Sequence, residues 1–401
     1  MKVIQINAVY EYSSTGRTTT EMHEYFLQHG IESYVFCTNK EEKGKNIFKF
    51  SGICDKKLHS VLSRIFGYQG MYSYFSTKTL IGKLEEIQPD IVHLRVLHSN
   101  CINLPLLLRY LGDNNISTVI TLHDCWYFTG HCCYFIDSKC DRWKDKCGHC
   151  PDFRKWNPSL FFDDSFNLLR LKKDLFGKIK HLAVIGVSDW VTNFIKDSIL
   201  KNAYIVKRIY NWIDFSKFTL RDSDVIRKSI GISKDDFVVL GVAQRWTPTK
   251  GLDDFIKLAN MCSEFKFVIV GEVYNNKLPD NVVSVGVVSD ETRLIDMYSM
   301  ADVFFNPSLR ETFGKVTIES MAAGTPVVAY NATATPELIH DGCGYVVEAG
   351  DIHSAYECVQ KIYKVGKKLY SESCRLFAKS EFDKTKLITD YIDLYHSLLK
   401  R

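Results

Sequence analysis

The sequence predicts an α/β protein built from two doubly wound parallel sheets. Three observations lead there. Apolar stretches of strand length alternate with stretches of helical length along the 401 residues; the alternation starts afresh about half-way; and a composition of 46% apolar and 24% charged residues is that of an ordinary globular protein with room for two or three domains. Alternation of strand and helix requires parallel strands covered on both faces.

The first series reads as the strands "KVIQINAV", "IESYVFCT", "DIVHLRV", "STVITLHD" and "HLAVIGVS", with helices such as residues 19–28 and 77–87 between them. The second reads "FVVLGVAQ", a helix over 252–261, "KFVIVGE", "NVVSVGVV", a helix over 292–300, "DVFFNPS", a further helix, "PVVAY" and "GYVVE". The join falls near "IVKRIYNWIDFSKF". The expected domains are therefore residues 1–207, with a Cys-rich insertion at about 125–160, and residues 208–385, leaving a terminal helix over 386–401 expected to cross back and pack on the first domain. Two such domains in series are expected to face each other across a cleft at the carboxyl ends of their strands, where ligands bind in this architecture.

Several function classes are excluded early. No run approaches the roughly 18 apolar residues of a spanning helix, and "MKVIQINAV" lacks the apolar core of a signal peptide, so the expected location is the cytoplasm. Met1 to Tyr210 hold 28 basic and 21 acidic residues, a charge of +7, against −3 for the remainder. That half suits an anionic lipid or a phosphorylated substrate, but without a dense basic tract it does not point to nucleic acid. The loop after the first strand, "YEYSSTGRTTTEM", has Gly16 alone, which fails the dinucleotide fingerprint, and no Walker loop is present.

The most informative stretch is "PSLRETFGKVTIESMAAGTPVVA". Glu311 and Glu319 do not align on a continuous helix, because eight steps turn the second roughly 80° from the first. A strand-to-helix loop that enters a helix near Gly314, Lys315 and Val316 and stops at Gly324 resolves this. Its N-terminus presents free N–H groups and a positive dipole end to a phosphate. Glu319 then reaches hydroxyls on one side of that phosphate and Glu311 a group on the other. In "VLGVAQRWTPTKG", Arg245 and Lys250 sit on a loop at a strand end, a cation pair suited to a diphosphate. In the first half, "TVITLHDCWYFTG" places His123 and Asp124 at a strand end, with Asp124 either orienting the His123 ring or capping the next loop.

These residues carry a resemblance. "RWTPTKG", "GVVSDETRLIDMYSMADVFFNPS" and the E-x7-E stretch resemble the second domain of glycosyltransferase family 4, retaining enzymes of the GT-B fold, and the similarity extends over nearly the whole chain. The resemblance implies that Arg245 and Lys250 hold the donor diphosphate, that Glu319 holds ribose hydroxyls, and that Glu311 meets the transferred sugar. Backbone N–H groups of Gly314, Lys315 and Val316 would serve the diphosphate or sugar, and "SVGVV" around Gly286 and Val287 the nucleobase. It implies a catalytic neighbourhood of His123, Glu311, Arg245 and Lys250. Gly16 would belong to a flexible loop over the donor phosphates, where relatives often have two glycines and this chain has one. His98, Asn103 and Asp124 would line the acceptor side, with loop packing as the alternative for His98 and Asn103.

Six of the 13 cysteines fall between Cys125 and Cys150. Cys132, Cys140, Cys147 and Cys150 include a C-x2-C with a glycine, a spacing that suits a structural tetrahedral zinc; Cys133, His131 and His149 are substitutes, and a set of buried free thiols is the alternative. The resemblance, which extends to this insertion, supports the Cys132 set. The expected reaction is retaining transfer of a sugar from a nucleotide diphosphate sugar to an acceptor hydroxyl, without a catalytic metal or cofactor. The resemblance places it in capsule, exopolysaccharide or O-antigen synthesis, on a saccharide or lipid-linked acceptor, with peripheral contact at the inner membrane face. A sugar-nucleotide epimerase, a phosphorylase and a non-catalytic nucleotide-sugar binding protein are the competing readings.

Overall fold

The computed structural model describes residues 1–222, 224–274 and 277–400. It divides into two units, Met1–Tyr210 with Ile388–Arg401, and Asn211–Leu387. Arg401, the last residue of the expected terminal helix segment, lies outside the described residues.

In the first unit β1 (Lys2–Ile6), β2 (Glu32–Cys37), β3 (Ile47–Lys49), β4 (Ile91–Leu94), β5 (Ser117–Leu122), β6 (Leu182–Gly186) and β7 (Ile205–Arg208) form one parallel sheet in the order β3-β2-β1-β4-β5-β6-β7. Every residue of β4, β5 and β6 is buried, which is what helices on both faces demand of a central parallel strand. Those helices are α1 (Ser13–Gln28), α2 (Ile53–Phe66), α3 (Tyr74–Ile87), α4 (Leu104–Asp113), α5 (Ser165–Phe176) and α6 (Asp189–Ile195).

The second unit repeats the plan. β8 (Val238–Arg245), β9 (Lys266–Glu272), β10 (Val282–Gly286), β11 (Val303–Asn306), β12 (Val327–Asn331) and β13 (Gly344–Glu348) lie parallel in the order β10-β9-β8-β11-β12-β13. Its helices are α7 (Asp224–Ser229), α8 (Leu252–Met261), α9 (Glu291–Met300), α10 (Lys315–Ala322), α11 (Ile352–Val365) and α12 (Lys368–Phe382). The final helix, α13 (Lys384–Leu399), returns to the first unit. There the Tyr395 hydroxyl meets His93 Nδ1 at 2.7 Å and the Tyr391 hydroxyl meets Thr121 Oγ1 at 3.0 Å. These hydroxyls satisfy polar side chains that the sheet buries, which would otherwise cost stability. Among the described residues no helix is long and apolar enough to cross a membrane.

One expectation is corrected here. Gly16 does not lie on a loop: it is buried inside α1, which starts at Ser13 rather than near residue 19. The run "SSTGRTTT" has weak intrinsic helix preference, but Thr19 Oγ1 and Thr20 Oγ1 donate to the carbonyls of Thr15 and Gly16, and Thr18 and Thr19 are wholly buried. Tertiary packing overrides the propensity. A Cβ on Gly16 would meet Glu11 N at 3.3 Å, so the glycine lets the preceding loop lie close against the helix.

Candidate active site

The predicted donor residues gather at the carboxyl edge of the second sheet. Winding reverses between β8 and β11, with β9 and β10 on one side and β12 and β13 on the other; ligands of open parallel sheets bind at such a reversal. The loops that leave β8 and β11 are stitched together there. Gly251 has a left-handed φ of +75°, and a Cβ would fall 2.3 Å from the Pro307 carbonyl oxygen, so only glycine allows the approach. Leu309 N–H donates to the Thr249 carbonyl at 3.0 Å. Glu311 N–H donates to Thr333 Oγ1 at 2.8 Å, which ties the same loop to the one after β12. The result is an ion pair between Lys250 and Glu311, residues 61 positions apart.

Beside that pair α10 begins. Gly314 caps it with a φ of +92°, a conformation that favours glycine; being glycine it brings no capping side chain, and no acidic residue stands in the first turn. The first-turn N–H groups of Lys315 and Val316 thus form an end suited to an anion, with the positive pole of the helix dipole behind them. Glu319 lies about a turn further in. It is 7% exposed, and its Oε2 accepts from the Tyr298 hydroxyl of α9 at 3.0 Å. It is therefore not the solvent-facing carboxylate common near a helix start.

Arg245 is placed differently. It ends β8 opposite Glu272 at the end of β9, with Nε 3.0 Å from Glu272 Oε2. The Tyr274 hydroxyl donates to the same oxygen at 2.7 Å. The expected partner of Lys250 is thus held by a neighbouring carboxylate; such an exposed pair is weak and can open toward a stronger anion. Gly286 ends the edge strand β10, and Val287 just beyond is exposed.

Glu272, Tyr274, Tyr298, Thr249 and Thr333 were not singled out from the sequence. Only Glu272 left a signal there, as an acidic residue closing the apolar strand "KFVIVGE". Thr249 and Thr333 act across loops distant in the chain, Tyr298 from α9, and Tyr274 from two residues beyond Glu272.

At the corresponding reversal of the first sheet, between β1 and β4, sits a residue that sequence reading passed over. Arg95 follows β4 and is 1% exposed. Its Nη1 donates to Gln5 Oε1 at 3.2 Å, and its Nη2 to Thr18 Oγ1 at 2.7 Å and to His123 Nε2 at 3.3 Å. His123, just after β5, accepts from a cation and so stays neutral. Burial, reinforced by the Arg95 charge, pushes its pKa down to about 3 against an opposing pull from Asp124. The lone arginine inside "DIVHLRV" was the available signal.

Asp124 does not orient His123. Its Oδ2 accepts from His98 Nε2 at 2.7 Å and its Oδ1 from Trp126 N–H at 2.8 Å, so it holds His98 and caps the following turn. Burial works against a charge on His98, yet the Asp124 carboxylate more than offsets it and raises the pKa. Asn103 caps α4 through Leu106 N–H and donates to the Met71 carbonyl, which commits both of its polar atoms to the fold.

All thirteen cysteines of the chain are free thiols, the six of the Cys-rich insertion among them. Cys132 and Cys150 share a hydrogen bond that lowers the Cys150 pKa, and the Cys147 sulfur accepts from Gly130 N–H at 3.3 Å. Zinc–sulfur bonds of about 2.3 Å put the sulfurs of a tetrahedral site roughly 3.8 Å apart. The Cys132 thiol also feels the charge of Cys147, and Cys147 that of Cys150 and Cys140. Among the described residues the trio with donor atoms within 4.8 Å of one another is His98, Asp124 and Cys133.

Residues 222–374 match the family described as Glycosyl transferases group 1. A putative colanic acid biosynthesis glycosyl transferase, WcaC of Escherichia coli K12, is 22% identical over 99% of this chain and 100% of its own. Sucrose-phosphate synthase of Thermosynechococcus elongatus superposes with a TM-score of 0.73 at 16% identity, covering 99% of this chain and 98% of that one. Anabaena HepE, solved in complex with UDP-glucose, superposes with a TM-score of 0.68 at 15% identity over 99% and 100% of the two chains. The match lies on the unit that holds Lys250, Glu311 and Glu319, the relative in E. coli is similar over the full length, and the chain has the GT-B fold.

Proposed function

We propose that this protein is a retaining glycosyltransferase that moves a hexosyl-type sugar from a nucleotide diphosphate sugar to an acceptor hydroxyl during surface-polysaccharide assembly. The observation that carries the reading is the Lys250–Glu311 pair beside the glycine-capped end of α10, with Glu319 buried a turn inside. When the donor binds, its diphosphate takes Lys250 and the first-turn N–H groups, which releases the Glu311 carboxylate for hydroxyls of the transferred sugar. Arg245 turns from Glu272 to the same diphosphate, and Glu319 receives the ribose hydroxyls. Charge growing on the departing diphosphate then meets preorganised donors, the kind of electrostatic stabilisation that dominates many enzymes. The acceptor hydroxyl attacks from the face the diphosphate leaves, and the leaving phosphate takes its proton. No metal or cofactor enters this scheme.

A nucleotide-sugar donor is supported by HepE, which was solved with UDP-glucose, and polysaccharide assembly by the colanic acid relative. A saccharide or lipid-linked acceptor, with the enzyme cytoplasmic and peripheral at the inner membrane face, completes the reading. His123 is assigned to the transferred sugar and His98 to the acceptor side. The test is incubation with a panel of sugar nucleotides, with and without lipid-linked acceptor, following released nucleoside diphosphate. Acceptor-dependent release from one donor supports transfer; interconversion of the free sugar nucleotide, or binding without release, sinks it. A structural zinc on the Cys132 set is part of the reading, and metal analysis finding under about half an equivalent removes that idea.

A further inference from the structure

Helix α2 is inside out. Its buried residues are polar, His59 and Ser63. His59 Nδ1 meets Ser73 Oγ at 2.7 Å and its Nε2 accepts from Gly70 N–H at 3.2 Å, while Ser63 reaches Asn100. At about 100° per residue, Ile53, Lys57, Val61 and Arg64 fall within roughly 80° of arc on the far side, with Leu58 beside them. Ile53 is 67% exposed, Leu58 59% and Val61 53%. A helix normally turns such residues toward a core.

The apolar surface extends beyond the helix. Phe66, at its end, stacks on Phe162 with ring centroids 6.3 Å apart, and Leu160 and Phe161 beside it are exposed. At the other end Ser76 Oγ donates to Asp55, which brings in the start of α3, where Phe75 is 81% exposed. Exposed patches of this kind mark interaction surfaces.

Charge selects the occupant. Asp55 is the only acidic residue of α2 and is turned to Ser76, so the ionised side chains on the outward arc are the cations Lys57 and Arg64. Lys56 and Lys57 also line a cavity of about 280 Å³ with Ile53, Ser60, Ser99 and Asn100, a setting for a phosphate headgroup. An apolar stripe with flanking aromatics and only cations among its charges is the composition of an interfacial helix.

We propose that α2, with Phe66, Phe75 and the Leu160–Phe162 loop, seats the first unit on an anionic phospholipid surface, the cavity beside Lys56 and Lys57 taking a lipid phosphate. This rests on the reading of a lipid-linked acceptor and names the surface that would bring the enzyme to it.

Co-sedimentation of the full chain with vesicles tests it, comparing phosphatidylglycerol-containing with pure phosphatidylcholine vesicles. The chain binds the first and not the second. Leu58→Glu with Val61→Glu, and separately Lys57→Glu with Arg64→Glu, each lower the partition coefficient by roughly tenfold or more. Should the first pair fail to fold, the charge-reversed pair decides, since it alters only surface cations. Equal binding to both vesicle types, variants that bind like the parent, or a dimer that Leu58→Glu with Val61→Glu dissolves would overturn the proposal. Release of nucleoside diphosphate on sugar transfer to a soluble acceptor, measured without vesicles, separates the two readings. If it persists while vesicle binding is absent, the surface is wrong and the reaction stands; if it is absent while vesicles bind, the reverse holds.

Discussion

Each of the two sheets carries a cation at the point where its winding reverses, and the two cations are used in opposite ways. Arg95 in the first unit is wholly buried, and its guanidinium is held by Gln5, Thr18 and His123. Lys250 in the second unit is 34% exposed and has one side-chain partner shown, a carboxylate that is itself a candidate ligand group. A guanidinium fixed by several acceptors in a dry site is part of the scaffold. A lysine on a flexible stem, paired once near the surface, can change partner at small cost. The difference teaches that position at the sheet's edge does not make a cation a ligand group; burial and the number of prior commitments decide it.

The largest effect expected from this contrast is on turnover. Lys250→Ala lowers transfer by about 100- to 1,000-fold, the range for loss of one preorganised donor to a developing anion, with the thermal midpoint little changed. Steady-state kinetics and a melting curve on the same preparation check both halves. Arg95→Met shows the inverse pattern. It strands Gln5, Thr18 and His123 in a buried site and costs about 3 kcal/mol of stability, read as a shift in denaturant midpoint; a variant as stable as the parent would show Arg95 to be no scaffold residue.

A smaller effect falls on Glu319. Glu319→Gln keeps the volume and a partner for the Tyr298 hydroxyl but weakens acceptance of hydroxyl donors, so donor KM rises about tenfold, roughly 1.4 kcal/mol, with kcat nearly preserved. A kcat loss without a change in KM would move Glu319 from binding to chemistry.

The smallest effect concerns pH. His123, held neutral with a pKa of about 3, binds its proton less readily folded than unfolded. Its contribution to stability is therefore complete above about 6.5 and is lost progressively as pH falls from there toward 3. His59, at about 4, acts in the same direction. His123→Asn should flatten the acid limb of a plot of thermal midpoint against pH, and an unchanged limb would show that His123 does not titrate as its surroundings dictate.

Much of this was legible in the sequence, and particular residues show why. "KFVIVGE" and "GYVVE" are strands at the expected residues, and α8 spans 252–261 as read, because apolar runs of that length bounded by turn residues allow few alternatives. α10 begins where Gly314 permits the turn. The three-residue edge strand β3 escaped notice, being too short to show a period. The start of α1 escaped too, since threonines and a glycine argue against a helix locally.

The chain alone determined the alternation of strand and helix, the restart that makes two units, and the residue types at the strand ends, because these depend on local periodicity and turn chemistry. It could not determine partners. That Lys250 meets Glu311 while Arg245 meets Glu272, that Asp124 holds His98 instead of His123, and that Arg95 is buried follow from which loops the strand order brings together. The outward turn of Val61 and Leu58 on α2 likewise follows from the polar contacts its other face makes. Hydrogen bonds and burial between residues tens to hundreds of positions apart are properties of the packed chain, and only the tertiary structure decides them.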